Sequence, residues 1–276
     1  MERLGRRAVP VEPAGPTPPR ESYAGDPNFM SSLARGLAVI RGFSMEQRRM
    51  SIAQLSQKTG IPRAAVRRCL YTLSELGYVA SEDGRHYALT PALLGLGHAY
   101  LSSTPLVIAA QPYLDRVSEA IHESCSLAVM AGDDILYLAR SVSSRIISIS
   151  LNVGSRLPAY CTSIGHVLLA SLPPAELDGY LSRVSLVAFT ERTPATPQAL
   201  RDELVQVRER GYALADQLME PGVVSVAVPL QDLSGRVVAG INVITQTGRG
   251  TAQQVVAHAL PHLRAAATEL AAQLLP

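Results

Sequence analysis

Guanidinium groups are the densest chemistry in this sequence. Within the segment 51–79, SIAQLSQKTGIPRAAVRRCLYTLSELGYV, Arg63, Arg67 and Arg68 crowd into a short run. Arg63 and Arg67 are four apart, so on a helix they share one face. A planar guanidinium matches a phosphate or a guanine edge with two parallel hydrogen bonds. Ala64 beside them is small enough to let a helix approach base edges closely, and Tyr71 falls on the same outward side. Ser51 starts the segment and Arg85 follows it in a turn. The candidate set for contact with double-stranded DNA is Ser51, Arg63, Ala64, Arg67, Arg68, Tyr71 and Arg85.

A second concentration of polar groups is Cys161-Thr162-Ser163-Ile164-Gly165, which leads into an expected helix over 164–171. A helix start offers free N–H groups and the positive end of a dipole, a ready site for an anion. Thr162 and Ser163 add hydroxyl donors; the same hydroxyls also serve as plain helix caps. Nucleophilic catalysis fits less well. Cys161 and His166 are close in sequence, but a catalytic thiol needs a base oriented by a third group, which spacing does not supply. CTSIG is not a GxSxG elbow, and GxxxxGK[ST] does not occur. His258 and His262 lie one helical turn apart without an HExxH context, and read as a solvated pair. No catalytic residue, metal or cofactor is expected.

These groups need elements to hold them. Leu33, Leu37 and Ile40 give 31–43 a helical stripe. Ser51 caps a short helix that Gly60 closes. Pro62 suits the first turn of the next helix, which runs to about Leu76 with Val66, Leu70, Leu73 and Leu76 as its buried stripe. Gly77 ends it. Two short strands, 78–80 and 86–89, flank a turn and form a wing. Helix, turn, helix and wing place the second helix in a major groove. A connecting helix over 90–102 comes next, then another over 106–123. Strands are expected at 124–130, 135–140, 146–151, 223–230 and 237–244, and helices at 164–171, 174–182, 196–211 and 251–275. The fold class is therefore α+β: residues 1–27, rich in proline, form a disordered tail; 28–90 a winged helix-turn-helix; 91–105 a linker helix; 106–276 an effector-binding domain.

Charge divides the same way. Residues 28–90 carry nine Lys/Arg against four Asp/Glu, and 91–276 carry twelve against fifteen. A basic small unit joined to a mildly acidic larger one suggests a polyanion partner for the first alone. Apolar stretches are far shorter than the ~20 residues that cross a bilayer, so no membrane partner is expected. Three cysteines without CxxC spacing suit a reducing cytoplasm.

The segment 51–79 resembles the DNA-binding half of the IclR family. Gly154–Leu172, GSRLPAYCTSIGHVLLASL, and Gly211–Val243, GYALADQLMEPGVVSVAVPLQDLSGRVVAGINV, resemble its core motifs. The resemblance spans about residues 28–275. RLPAYCTSIG resembles the branch that controls aromatic-acid catabolism through the β-ketoadipate pathway, including its protocatechuate and 4-hydroxybenzoate regulators. Leu218 departs from the pattern, standing where many members carry an acid.

The resemblance implies a GAF-like effector domain, a homodimer or dimer of dimers on a palindromic operator, and contact with RNA polymerase if the protein activates. It also implies that the loop holding Tyr160, Thr162, Ser163 and Ile164 faces an effector pocket, with Asp216, Ser225 and Asn242 as further lining. Met130, Leu157 and Val226 would wall an aromatic ring, and Arg156 would meet either a carboxylate or a surface acid. The expected effector is a small aromatic or other carboxylate, and the expected location is the cytoplasm, on the nucleoid. Two other readings stay open at this point: an IclR-type regulator of another catabolic pathway with a different carboxylate, and an enzyme that uses a winged helix to oligomerise.

Overall fold

The computed structural model describes residues 26–44, 47–143 and 151–274. The expected tail lies outside these residues except for Asp26 and Pro27, as does the expected strand 146–151 except for Leu151. The chain divides into two compact units between Ser103 and Thr104.

The first unit runs α1 (Ser31–Arg41), β1 (Arg49–Ser51), α2 (Ile52–Thr59), α3 (Arg63–Glu75), β2 (Val79–Ala80), β3 (His86–Leu89) and α4 (Leu93–Ser103). Its core is Val39, Leu55, Val66, Leu70, Leu73 and Val79 with their neighbours. Ser51 starts α2 with a reciprocal cap: its hydroxyl accepts from the Gln54 N–H, and Gln54 accepts from the Ser51 N–H. Gly60 closes α2 at φ 64°, a left-handed position that glycine adopts without a Cβ penalty. Pro62 precedes α3 as its N-cap instead of sitting inside its first turn. The wing is a three-stranded sheet in the order β1-β3-β2. β1 was not legible, because only Met50 of its three residues is buried and its pairing partner β3 lies far along the chain. Replacing Ser51 by alanine is expected to lower stability by about 1 kcal/mol, measured by urea unfolding of the full chain.

The second unit is built on six antiparallel strands in the order β6-β5-β4-β9-β8-β7. These are β4 (Ser124–Ala131), β5 (Asp134–Ser141), β6 (Arg156–Pro158), β7 (Ala213–Asp216), β8 (Val223–Gln231) and β9 (Val237–Gln246). One face is covered by α5 (Pro105–Ile121) and α9 (Ala252–Ala271). The other is covered by α6 (Ser163–Ala170), α7 (Pro174–Arg183) and α8 (Pro197–Arg210). Strand alternation sorts the side chains. Ala239, Ile241 and Val243 of β9 pack toward α5 and α9. Gly240 lies against Ile164 and Val167 of α6, so Asn242 and Ile244 share that side. The edge strands β6 and β7 were not expected. They are three and four residues long, and the inward residues of β7, Ala213 and Ala215, are too small to mark a strand. Among the described residues no single helix is long and apolar enough to cross a membrane.

Candidate functional site

In the first unit, α3 carries the basic surface. Val66, Leu70 and Leu73 are buried, which turns Arg63, Ala64, Arg67, Arg68 and Tyr71 to the outside. Among the described residues no acid forms an ion pair with Arg63, Arg67 or Arg68, so their donors are available. Arg85 is exposed at the tip of the wing, beside Gly84 at φ 68°. There Asp83 accepts from the Arg85 and His86 N–H groups at 2.8 and 2.7 Å and from the His86 ring at 2.8 Å. Those bonds hold its carboxyl below the usual carboxylate range. The acid is thus committed to shaping the turn, and the Arg85 guanidinium projects from it. Ser51 differs from the others: its hydroxyl also donates to Gln54 at 3.0 Å, so its side chain is engaged in the cap.

In the second unit, a small cavity of about 40 Å³ lies between the start of α6 and the sheet. Leu157, Thr162, Ser225 and Asn242 line it, as expected from the sequence. Tyr137, Leu151, Cys161, Met219 and Ile244 line it as well. So does Leu218, which makes this part of the wall apolar. Thr162 caps α6, accepting from the Gly165 N–H at 3.1 Å. Ser163 is fully buried and accepts from Asn242 Nδ2 at 3.4 Å. Asn242 Oδ1 and the neighbouring Ser126 hydroxyl are buried without any hydrogen-bond partner. A buried unpaired acceptor and a buried unpaired hydroxyl beside a cavity are what a polar ligand satisfies.

The other expected effector residues stand elsewhere. The Tyr160 hydroxyl donates to the Val187 carbonyl at 2.8 Å and accepts from the Val187 N–H at 3.0 Å, which fixes the loop after α7. Ile164 is fully buried between α6 and β9. Met130 packs at the edge of the same core, outside the cavity lining. Asp216 pairs with Arg192 on a separate open cleft of about 510 Å³. Val226 belongs to the opposite face, packed in the α5–α9 layer, because the parity of β8 gives the cavity side to Ser225 and Ala227. Arg156 is bound to Asp134 at 3.2 Å and to the Ala131 carbonyl, a structural ion pair.

Cys161 and His166 do not meet as a nucleophile and base. The Cys161 thiol donates to the Pro158 carbonyl at 3.6 Å, and burial pushes its pKa well above the usual thiol range. His166 Nε2 lies 2.7 Å from the Tyr160 carbonyl, and burial lowers its pKa. Among the described residues no group of three metal-ligating side chains occurs.

Comparison with known proteins agrees with this two-part layout. The family description "IclR helix-turn-helix domain" matches residues 32–83, and "Bacterial transcriptional regulator IclR C-terminal" matches residues 98–272. The chain is 53% identical over 262 residues to the Pca regulon regulatory protein of Pseudomonas putida, covering 95% of this chain and 90% of that protein. A crystal structure of a transcriptional regulator from Rhodococcus sp. RHA1 is 42% identical, with a TM-score of 0.78, covering 89% of this chain and 98% of that one. The inducer-binding domain of a PobR double mutant from Acinetobacter, in complex with 3-hydroxybenzoic acid, is 29% identical. Its TM-score is 0.57, and the match covers 61% of this chain and 98% of that one.

Proposed function

This chain belongs to the IclR family of DNA-binding transcription regulators, and from that premise we propose that it controls an aromatic-acid catabolic operon. The effector is protocatechuate, 4-hydroxybenzoate or a related metabolite of the β-ketoadipate pathway. It binds at the cavity between α6 and the sheet. The observation that carries this reading is the unpaired Asn242 Oδ1 beside a mostly apolar wall at a helix start. The hydroxybenzoate held by the Acinetobacter domain supports the chemical class, and the Pseudomonas putida relative supports the pathway. The cavity as it stands holds about three water-sized molecules, so a benzoate enters by displacing its walls. That displacement is the physical origin of the signal.

The protein acts as a homodimer or dimer of dimers on double-stranded operator DNA. α4 supports assembly: Leu94, Leu96 and Tyr100 are largely exposed on it, and none of its residues is buried. Effector binding changes the spacing of two winged helices through this helix, and a coupling of about 1–3 kcal/mol suffices to change operator occupancy strongly. Coupling is reciprocal, so DNA must alter effector affinity equally.

Calorimetric titration of the full chain with protocatechuate, 4-hydroxybenzoate and β-ketoadipate tests the effector. Binding by one of them, accompanied by a shift in operator affinity, is the expected result. Absence of binding by all three at millimolar concentration overturns the aromatic-acid reading and leaves a regulator of another pathway.

A further inference from the structure

The strand register puts a third polar group beside the two unpaired ones. Arg140 of β5 pairs with Ser126 of β4, and Ser126 pairs with Asn242 of β9. Directly paired residues project from the same face, so Arg140, Ser126 and Asn242 form a row across three strands on the side of α6. Leu138 is the extra residue at a bulge in β5: Leu127 pairs with Ala139, but Ala128 pairs with Tyr137. Without that residue, Arg140 would share the face of Leu136 and Leu138, which pack toward α5 and α9. The bulge turns it to the cavity side, the same side as Tyr137.

The Arg140 side chain is half-buried there. Its Nε and Nη1 are buried without a hydrogen-bond partner, and among the described residues no carboxylate pairs with it. Burial lowers its pKa, which reflects the same desolvation. A buried charge without a partner is strongly unfavourable. Other arginines of this unit, Arg156, Arg192 and Arg210, each have an acid. Arg140 stands about 10 Å from Asn242 across two strand spacings, a gap that an arginine side chain and a small carboxylic acid fill together.

We propose that Arg140 is the carboxylate anchor of the effector site: its Nε and Nη1 donate to the effector carboxylate while Ser126 and Asn242 bond the same molecule further along the row. This rests on the effector reading above and assigns its charge recognition to one residue. An effector acid then contributes the counter-charge that no described residue supplies, so specificity for the ionised acid over a neutral analogue comes from β5.

The test compares the tightest of the three acids named above with its neutral amide, by calorimetry on the full chain at pH 7.5. Wild-type protein is expected to prefer the acid about 10- to 100-fold. Arg140→Met is expected to abolish that preference while binding the amide as wild type does. Arg140→Lys, which keeps the charge but not the fork, is expected to retain part of it. A folded Arg140→Met variant that keeps the wild-type preference overturns the anchor and leaves the effector reading intact. Should Arg140→Met not fold, Arg140→Lys decides, and unchanged acid affinity in it overturns the proposal. If wild type binds none of the acids, the effector reading fails and the anchor falls with it.

Discussion

Replacing Arg67 by alanine is expected to lower operator affinity at least about tenfold while leaving thermal stability unchanged. The side chain is exposed on α3 and has no ion pair among the described residues, so its removal takes nothing from the core. A base-contacting arginine is worth about 1–3 kcal/mol at its base position, and the proposed homodimer would present it twice. Fluorescence anisotropy on the region upstream of the gene, with non-specific DNA in excess, reads the change. Arg63→Ala should act in the same direction, since it stands one turn earlier on the same face. Affinity of the wild type should also fall steeply with salt, because phosphate neutralisation releases counterions. If neither variant weakens binding, α3 is not the reading helix and the operator is recognised by another element.

Gly165→Ala is expected to disrupt the effector unit, at a cost above about 3 kcal/mol. An alanine Cβ there would stand 1.9 Å from the Ala159 carbonyl oxygen and 2.5 Å from two further atoms of the same backbone. Backbone does not swing aside as a side-chain tip does. The short 3-10 turn Ala159–Cys161 would have to move, and it carries both the His166–Tyr160 carbonyl contact and Cys161 in the cavity wall. Every residue of α6 is buried, so no part of the helix can shift outward at low cost. A loss of this size lowers the melting temperature by roughly 6–12 °C in a domain of this length. Gly179→Ala in α7 is the control: its Cβ would meet only the Arg183 side chain at 3.6 Å, an ordinary contact. Equal melting temperatures for the two variants in a calorimetric scan would contradict the close approach.

Much of the fold was legible because it depends on local rules. The Ser51 cap, the Gly60 turn and the apolar stripe of α3 are each written within a few residues, and each formed as read except at Leu76, which caps the end of α3 and stands exposed because the helix stops at Glu75. The long strands β4, β5, β8 and β9 announced themselves by continuous apolar runs. β1, β6 and β7 did not, since strands of three or four residues exist only through a partner that the sequence does not name.

The candidate sites separate in the same way. Helical periodicity alone fixed which side of α3 is basic, because 3.6 residues per turn leaves Arg63, Arg67 and Tyr71 together once Val66 and Leu70 go inward. The cavity beside α6 was only half readable. Thr162, Ser225 and Asn242 were found, whereas Val226 was assigned to the wrong face and Asp216 proved to be held by Arg192. Arg140 was invisible to any pattern. Strand side chains alternate with a period of two, so one inserted residue reverses every position beyond it. Nothing around Leu138 in the sequence marks that insertion. Composition and periodicity therefore determined that this chain turns arginines outward from a two-faced helix. Only the pairing of β5 with β4 decided that another arginine, two strands from Asn242, projects from the α6 side of the sheet with no acid to meet it among the described residues.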